Sequence, residues 1–397
     1  MPVPIDSKRQ SAEHAWRSPV QIASQWSDAV SIDRRLLETR TCTAWWSLLE
    51  RLGITLFATR EQEHLVMAMS ARAGRPRISS FVLPHPSGLV ADRPRRRLFV
   101  ASTRNPNQVY TLQPSSEMPA RGDVRSRSSG VAHALVPTGS TFYPGRLYLH
   151  DLALVGDALY GNAVGFNAVA RLGADGFFAP AWWPMCIERR GRPAFSRNYI
   201  QLNSIAAGPT LGESFFSASS TSLGHRRPGH LNYPVDGRGV VFSGATREPM
   251  CTGLTRPHSA RLARGRVWVA NSGYGEVGVI SDGRLDVTCT FPGWTRGVCV
   301  VEHVAFVGVS RVLARYACYA PGLDVRSSRC GIRAIDLRTG DVLATLDWPA
   351  GHQIFALEWM ADSVTSGFRF DIARRPSLAD RAFFHGYALD SHHRGAR

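Results

Sequence analysis

The chain has 397 residues, 44% of them hydrophobic, and a formal net charge of +16, enough to bury a large core in one closed architecture or in two ordinary domains. Lys8 is the only lysine and the arginines are scattered, with small clusters at 93–97, 121–127 and 226–227 and no basic helix or aromatic platform beside them, which argues against a nucleic-acid surface. No run approaches the roughly 20 apolar residues that span a bilayer and the start lacks a signal peptide's apolar core, so a cytoplasmic protein is expected; seven scattered cysteines without a C-x-x-C pair read as reduced, buried thiols rather than a disulfide framework.

Residues 1 to about 40 are polar and weakly patterned, and read as an arm. Thr43 to Leu52 carries apolar residues at helical spacing and stops at Gly53. Ile54 to Thr59, His64 to Ala71 and Ile78 to Leu83 are three β-rich runs of a first unit that lacks one strand. A second unit runs from His85 to Leu112, with strands at Gly88 to Ala91, Leu98 to Ala101 and Gln108 to Leu112, and a Ser, Pro, Gly and Arg-rich loop follows from Pro114 to Gly130. Leu149 to Leu172 repeats the plan. The fourth unit opens at Asn198 to Gly208, is interrupted by the basic loop Gly224 to His230, and ends near Gly253.

The plan is clearest in the fifth unit, Leu254 to Val279: a polar lead, a strand, the turn Arg264–Gly265, a second strand, a polar loop and a third strand. The sixth covers Thr295 to Ser310 and Cys330 to Leu346, with a hairpin turn at Leu337 to Asp341. His352 to Met360 starts one more inner strand, after which Val364 to Phe370 reads as a further strand. Units too small to bury their own apolar face must stack, which predicts an all-β, six-bladed β-propeller over 54–370. An N-terminal arm and helix over 1–53 precede it and a tail over 371–397 follows. The strand near Ile354 to Trp359 is expected to complete the first blade, so that both chain ends share one sheet and no edge is left open.

In such a ring, the residues leading into the inner strands and the loops joining strands two and three gather at one mouth of the channel. The leads are His85-Pro86-Ser87, His150-Asp151, Asn203-Ser204, His258-Ser259, Arg296-Gly297 and His352-Gln353. Imidazoles converging from separate strands suit iron, copper or zinc, and oxygen ligands suit calcium. A divalent metal held by His85, His150, His258 and His352 is therefore expected, with Asp151, Gln201, Asn203, Asn271, Tyr274 and Arg296 around a substrate. A histidine in such a place also serves as a hydrogen-bonded structural residue, and a slip of one residue turns it away from the channel. Gly273 to Gly278 matches G-x-G-x-x-G, but no helix follows it, so no nucleotide cofactor is expected. His225 and His230 fall in the basic loop without metal-ligand spacing.

These motifs carry a resemblance. ERLGITLFAT at Glu50, HPSGLVAD at His85, LHDLAL at Leu149, QLNSIA at Gln201, TRPHSARLARGRVWVANSGYGEVGVI at Thr255, GWTRGV at Gly293 and CGIRAIDLRTGDV at Cys330 resemble a bacterial family of conserved hypothetical proteins, a domain of unknown function. The resemblance covers about residues 45–360 and implies a β-propeller. Where many relatives read H-L-N-G, this chain has Gln201-Leu202-Asn203-Ser204. More distantly the layout is similar to six-bladed lactonases and strictosidine synthases, which hold a metal or substrate at the channel mouth.

The expected function is a metal-dependent enzyme, an oxidoreductase or a hydrolase, acting on a small molecule or modified peptide at the mouth. The alternative is a non-catalytic scaffold that binds a protein or peptide partner on the same face.

Overall fold

Four antiparallel strands, Pro257–Ala263, Arg266–Asn271, Glu276–Ser281 and Arg284–Thr290, make up the fifth blade. Two of its hairpins turn through Arg264–Gly265 (φ 54° and 71°) and Asp282–Gly283 (φ 48° and 75°), the paired left-handed conformations whose twist matches the flanking strands. The inner strand starts buried, whereas the outer strand Arg284–Thr290 is largely exposed. In this computed structural model, which describes residues 29, 32–42, 44–103, 107–119, 121, 133–145, 147–195, 198–224, 228 and 233–387, the unit recurs to give a six-bladed β-propeller. The basic loop with His225 and His230, most of the N-terminal arm and the last residues of the tail lie outside the described residues.

Ring closure is as the sequence predicts. Ala356–Ala361 pairs antiparallel with Ile54–Arg60 and becomes the inner strand of blade 1, ahead of Leu65–Arg72 and Arg75–Val82. The final strand is not. Only Gly367–Phe368 is extended, and it runs parallel to Ala134–Leu135 at the outer edge of blade 2. At the other end Arg40–Thr41 adds a fifth strand to blade 6.

Six apolar clusters hold the ring, one in each gap between neighbouring blades. Between blades 6 and 1, Phe306 and Ile332 meet Leu56 and Met67, and the helix Ala44–Leu52 caps the gap with Trp45, Leu48 and Leu49. Trp45 stands edge-on to Phe306, ring centroids 5.9 Å apart. The helix stops at Gly53, whose φ of 61° is the left-handed conformation expected of its cap. Three of the seven free cysteines, Cys251, Cys299 and Cys330, are buried; Cys42 and Cys318 are exposed, contrary to the expectation of buried thiols.

A fully buried ion pair reinforces the closure. Arg60 lies 3.2 Å from Glu63, donates to the Leu36 carbonyl at 2.6 Å and stacks over Trp348. The same Glu63 oxygen accepts the His352 amide at 2.6 Å. One carboxylate thus ties the second strand of blade 1 to the segment that leaves blade 6 and feeds the closing strand.

The connections between the second and third strands come in two sizes. In blades 1, 3 and 5 they are four-residue turns, 61–64, 164–167 and 272–275. Each is a 3-10 turn ending on a left-handed residue, His64, Asn167 and Gly275. In blades 4 and 6 they are 20 residues each, 219–238 and 311–330. Val235 and Tyr233 from the first long loop pack with Val312, Tyr316, Tyr319 and Ala320 from the second, around Trp294, in a seventh apolar cluster above the channel.

Candidate functional site

Five of the six inner strands begin with the same irregularity; the closing strand Ala356–Ala361 of blade 1 pairs without it. The pairing slips between Pro86 and Leu89, Leu202 and Ser204, His258 and Arg261, and Thr295 and Val298, and blade 3 has its equivalent between Leu149 and Leu152. A bulge of this kind re-aims side chains. Aligned on it, the blades contribute one ring of residues inside the channel: Ser87, His150, Asn203, His258 and Arg296, with Phe355 in blade 1. Two residues earlier in each strand lies a second ring, at the mouth: His85, Tyr148, Gln201, Arg256, Trp294 and Gln353. Four of these, His85, Tyr148, Gln201 and Arg256, have φ between 43° and 55°, a left-handed backbone rare for non-glycine residues.

The expectation of four converging histidines takes a different form in the structure. His150 and His258 meet, ring centroids 4.9 Å apart, and both stand against Phe355, at 4.7 and 5.5 Å. His85 belongs to the upper ring. Its Nδ1 is 3.3 Å from Glu61, and its amide donates to His64 Nδ1 at 3.1 Å. His352 is anchored at blade closure through its backbone. The sequence matches histidine to histidine, whereas the bulge of blade 2 puts Ser87 rather than His85 in the lower ring, and in blade 1 it is Phe355 rather than His352 that stands against His150 and His258.

Between the two imidazoles sits a cation. Arg296 Nη2 donates to His258 Nε2 at 2.9 Å and lies 3.4 Å from His150 Nε2. A guanidinium can only donate, so both Nε2 atoms are unprotonated acceptors. The other nitrogens agree: His150 Nδ1–H donates to the Asn203 carbonyl at 3.0 Å, and His258 Nδ1–H donates to Ser259 Oγ at 2.8 Å. Both rings are neutral. Burial, followed by the positive charge of Arg296, pushes His150 down to about 3 and holds His258 well below its ordinary value. The lone pairs a metal needs are aimed at a guanidinium, and among the described residues no group of three or more His, Cys, Asp or Glu is placed to hold a metal ion. The donor set does not fit the expected divalent metal.

Above this layer opens a cavity of about 240 Å³, lined by Tyr148, Gln201, Arg256, Trp294 and Gln353 of the upper ring and His150, Arg296 and Phe355 of the lower. Glu61 and Gln62 come from the short turn of blade 1, and Tyr316 and Tyr319 from the long loop of blade 6. Arg256 donates to Gln201 Oε1 at 2.9 Å and lies over the Tyr319 ring at 4.6 Å. Arg296 lies over Phe355 at 4.3 Å. Neither guanidinium has a carboxylate in ion-pairing contact among the described residues. Burial lowers both, Arg296 to about 10, with the Glu61 charge acting on Arg296 in the opposite sense.

Of the residues expected around a substrate, Gln201 and Arg296 line the cavity. Asp151 does not. It grips Arg261 at 2.7 and 3.2 Å and accepts the Ile205 amide, joining blades 3, 4 and 5. Asn203 binds Ser219 and the Pro257 carbonyl. Asn271 accepts the Thr255 amide at 2.6 Å and donates to Glu276, and Tyr274 donates to Asp236. Sequence reasoning missed Glu61, Arg256, Trp294, Tyr316, Tyr319 and Phe355. Arg256 stood one residue before the Pro257-His258 lead, and the upper ring was the signal that could have found it.

No curated protein matches the chain in sequence. Among solved structures, the chain is similar to one in a nidogen/laminin complex, at 9% identity and TM-score 0.50, over 79% of this chain and all of that one. Weaker likenesses are a putative 6-phosphogluconolactonase from Bacteroides uniformis (13% identity, TM-score 0.40, 76% and 84% covered) and the calcium-binding protein regucalcin from Agrobacterium tumefaciens (10%, 0.41, 66% and 73%). At 9% identity the first of these speaks to fold alone. No helix among the described residues is long and apolar enough to cross a membrane. A domain of unknown function, DUF4915, matches residues 43–367, and the chain belongs to that family.

Proposed function

We propose that the protein is an enzyme that binds a small anionic organic molecule in the mouth cavity, with Arg256 and Arg296 as the anion-binding pair. The observation that carries this reading is two guanidiniums, Arg296 buried and Arg256 half-buried, facing one cavity with neutral hydrogen-bond partners only: Gln201 for Arg256, two unprotonated imidazoles for Arg296. Desolvated charge without a counter-charge is costly, and a site that holds it is preorganised for a ligand that supplies one. His150 and His258 act as positioning residues. They hold one edge of Arg296, through Nη2, so that its remaining N–H groups are left for the ligand. Glu61 lines the same cavity and is the residue for moving a proton to or from the bound molecule.

The scaffold alternative has less support. The large hydrophobic side chains exposed among the described residues, Phe142, Phe177, Met185, Val287, Val342, Leu378 and Phe384, belong to none of the connections between second and third strands at the mouth, where a partner-binding face would gather such side chains. Calorimetric titration with small carboxylates and inorganic phosphate tests the proposal. Binding to the native protein and its loss in folded Arg256→Leu and Arg296→Leu variants is the expected result; equal heats in native and variant proteins would overturn it.

A further inference from the structure

The charge and shape of the cavity narrow the ligand further. Among the described lining residues Arg256 and Arg296 contribute two positive charges, Glu61, which also stands 3.3 Å from His85, one negative, and His150 none, a sum of one positive charge. A monoanion balances it and a phosphate dianion overshoots. The receptor groups are planar forks, which take the two coplanar oxygens of a carboxylate side by side.

The rest of the wall is flat and aromatic. Tyr319 lies within 20° of the Trp294 plane and 24° of the Tyr316 plane, Trp294 and Tyr316 are inclined by 39°, and the three centroids are 6.0–6.4 Å apart. Phe355 forms the floor beneath Arg296. Gln201, Gln353 and Tyr148 add neutral polar groups at the rim. The cavity of about 240 Å³ has room for a single ring and its carboxylate.

We infer that the ligand is a small aromatic or otherwise planar carboxylic acid, its carboxylate between Arg256 and Arg296 and its ring against the Trp294–Tyr316–Tyr319 wall. This inference rests on the anion-binding reading above and adds the class of molecule. Polar atoms on the ring's far edge face Glu61 and the two glutamines.

The test is a competition in affinity among benzoate, 4-hydroxybenzoate, acetate and inorganic phosphate, each titrated calorimetrically into the whole chain. Benzoate and 4-hydroxybenzoate are expected to bind about tenfold or more tightly than acetate, the gain of one good aromatic contact, and more tightly than phosphate. Tyr316→Leu, at a half-buried position, is expected to shrink the benzoate-to-acetate ratio severalfold while sparing acetate; Trp294→Leu, checked by circular dichroism, does the same if folded. Glu61→Gln is expected to shift preference toward phosphate, since it raises the net positive charge of the wall. Acetate matching benzoate, phosphate binding tightest, or a benzoate affinity indifferent to Tyr316 would overturn the inference while leaving the anion site standing. Binding of no anion at all would defeat both together.

Discussion

Arg296 Nη2 is shared between His258 Nε2, 2.9 Å away, and His150 Nε2, 3.4 Å away, so a buried cation is oriented by two lone pairs and by no described carboxylate. The arrangement holds only while both rings are neutral. Protonating either one replaces an acceptor with a donor and sets two cations face to face.

That fixes a pH dependence. In the folded protein His150 stays neutral down to about 3 and His258 is also depressed, whereas in the unfolded chain both titrate near the ordinary value of about 6.5. Below about 6.5 the unfolded state therefore binds protons that the folded state refuses, and stability falls as pH drops from 6.5 toward 3. Urea unfolding at pH 7.5, 6 and 5 should show the midpoint moving down below 6.5, and the double variant His150→Gln, His258→Gln should flatten that segment. An unchanged slope in the double variant would mean that the two rings do not carry it.

Arg256 is predicted to be costly to the fold and necessary to the site. Arg256→Met removes a half-buried, desolvated cation whose described polar partner is Gln201, and apolar replacements of desolvated charge are often neutral or stabilising. Thermal unfolding should show a midpoint equal to or above that of the native protein, together with at least about a tenfold loss in anion affinity. A variant that is both destabilised and still binds would refute this assignment.

Glu63 should behave in the opposite way. Its carboxylate holds Arg60 and the His352 amide, and both ends of the pair are buried. Glu63→Ala leaves the Arg60 charge unpaired, a loss of about 3–5 kcal/mol, with the melt expected to begin at the junction of blades 6 and 1. Hydrogen exchange would show this as early loss of protection in 54–60 and 356–361. Uniform loss across all six blades would argue that closure is not the site of weakness.

Close approach between blades makes Gly88 a test of packing. A methyl group there would lie 2.5 Å from the Leu152 amide nitrogen and 2.7–2.8 Å from Asp151 backbone atoms, contacts relieved only if two inner strands separate. Gly88→Ala should cost at least about 1–3 kcal/mol in urea unfolding, more than an alanine at Gly386, where nothing lies within 4 Å.

Particular residues show how far the sequence reaches. Turn pairs such as Arg264–Gly265 and the apolar runs around them announced the blades, because hairpin geometry is local. The closing strand was legible too, since blade 1 lacked one and Ile354 to Trp359 had no other partner. The site was half legible. His150, His258 and Arg296 were placed at the channel, but the bulge that sets their register depends on pairing across strands, and letters alone put His85 and His352 in the wrong tier. Left-handed backbone at Tyr148, Gln201 and Arg256 has no signature in residues that are not glycine. Asp151 shows the converse: its chemistry suggested a ligand, and only the position of Arg261, 110 residues away, shows that it is a brace.

The unequal connections have a consequence for traffic. Two 20-residue loops, from blades 4 and 6, meet above blade 5 through Val235, Tyr319 and their neighbours, while blades 1 and 3 end in four-residue turns. A ring of equal blades would be approachable from all sides. Among the described residues this one has a high side, at Tyr316 and Tyr319, and a low side, at Glu61 and Val164, so the cavity around Arg296 is walled unequally.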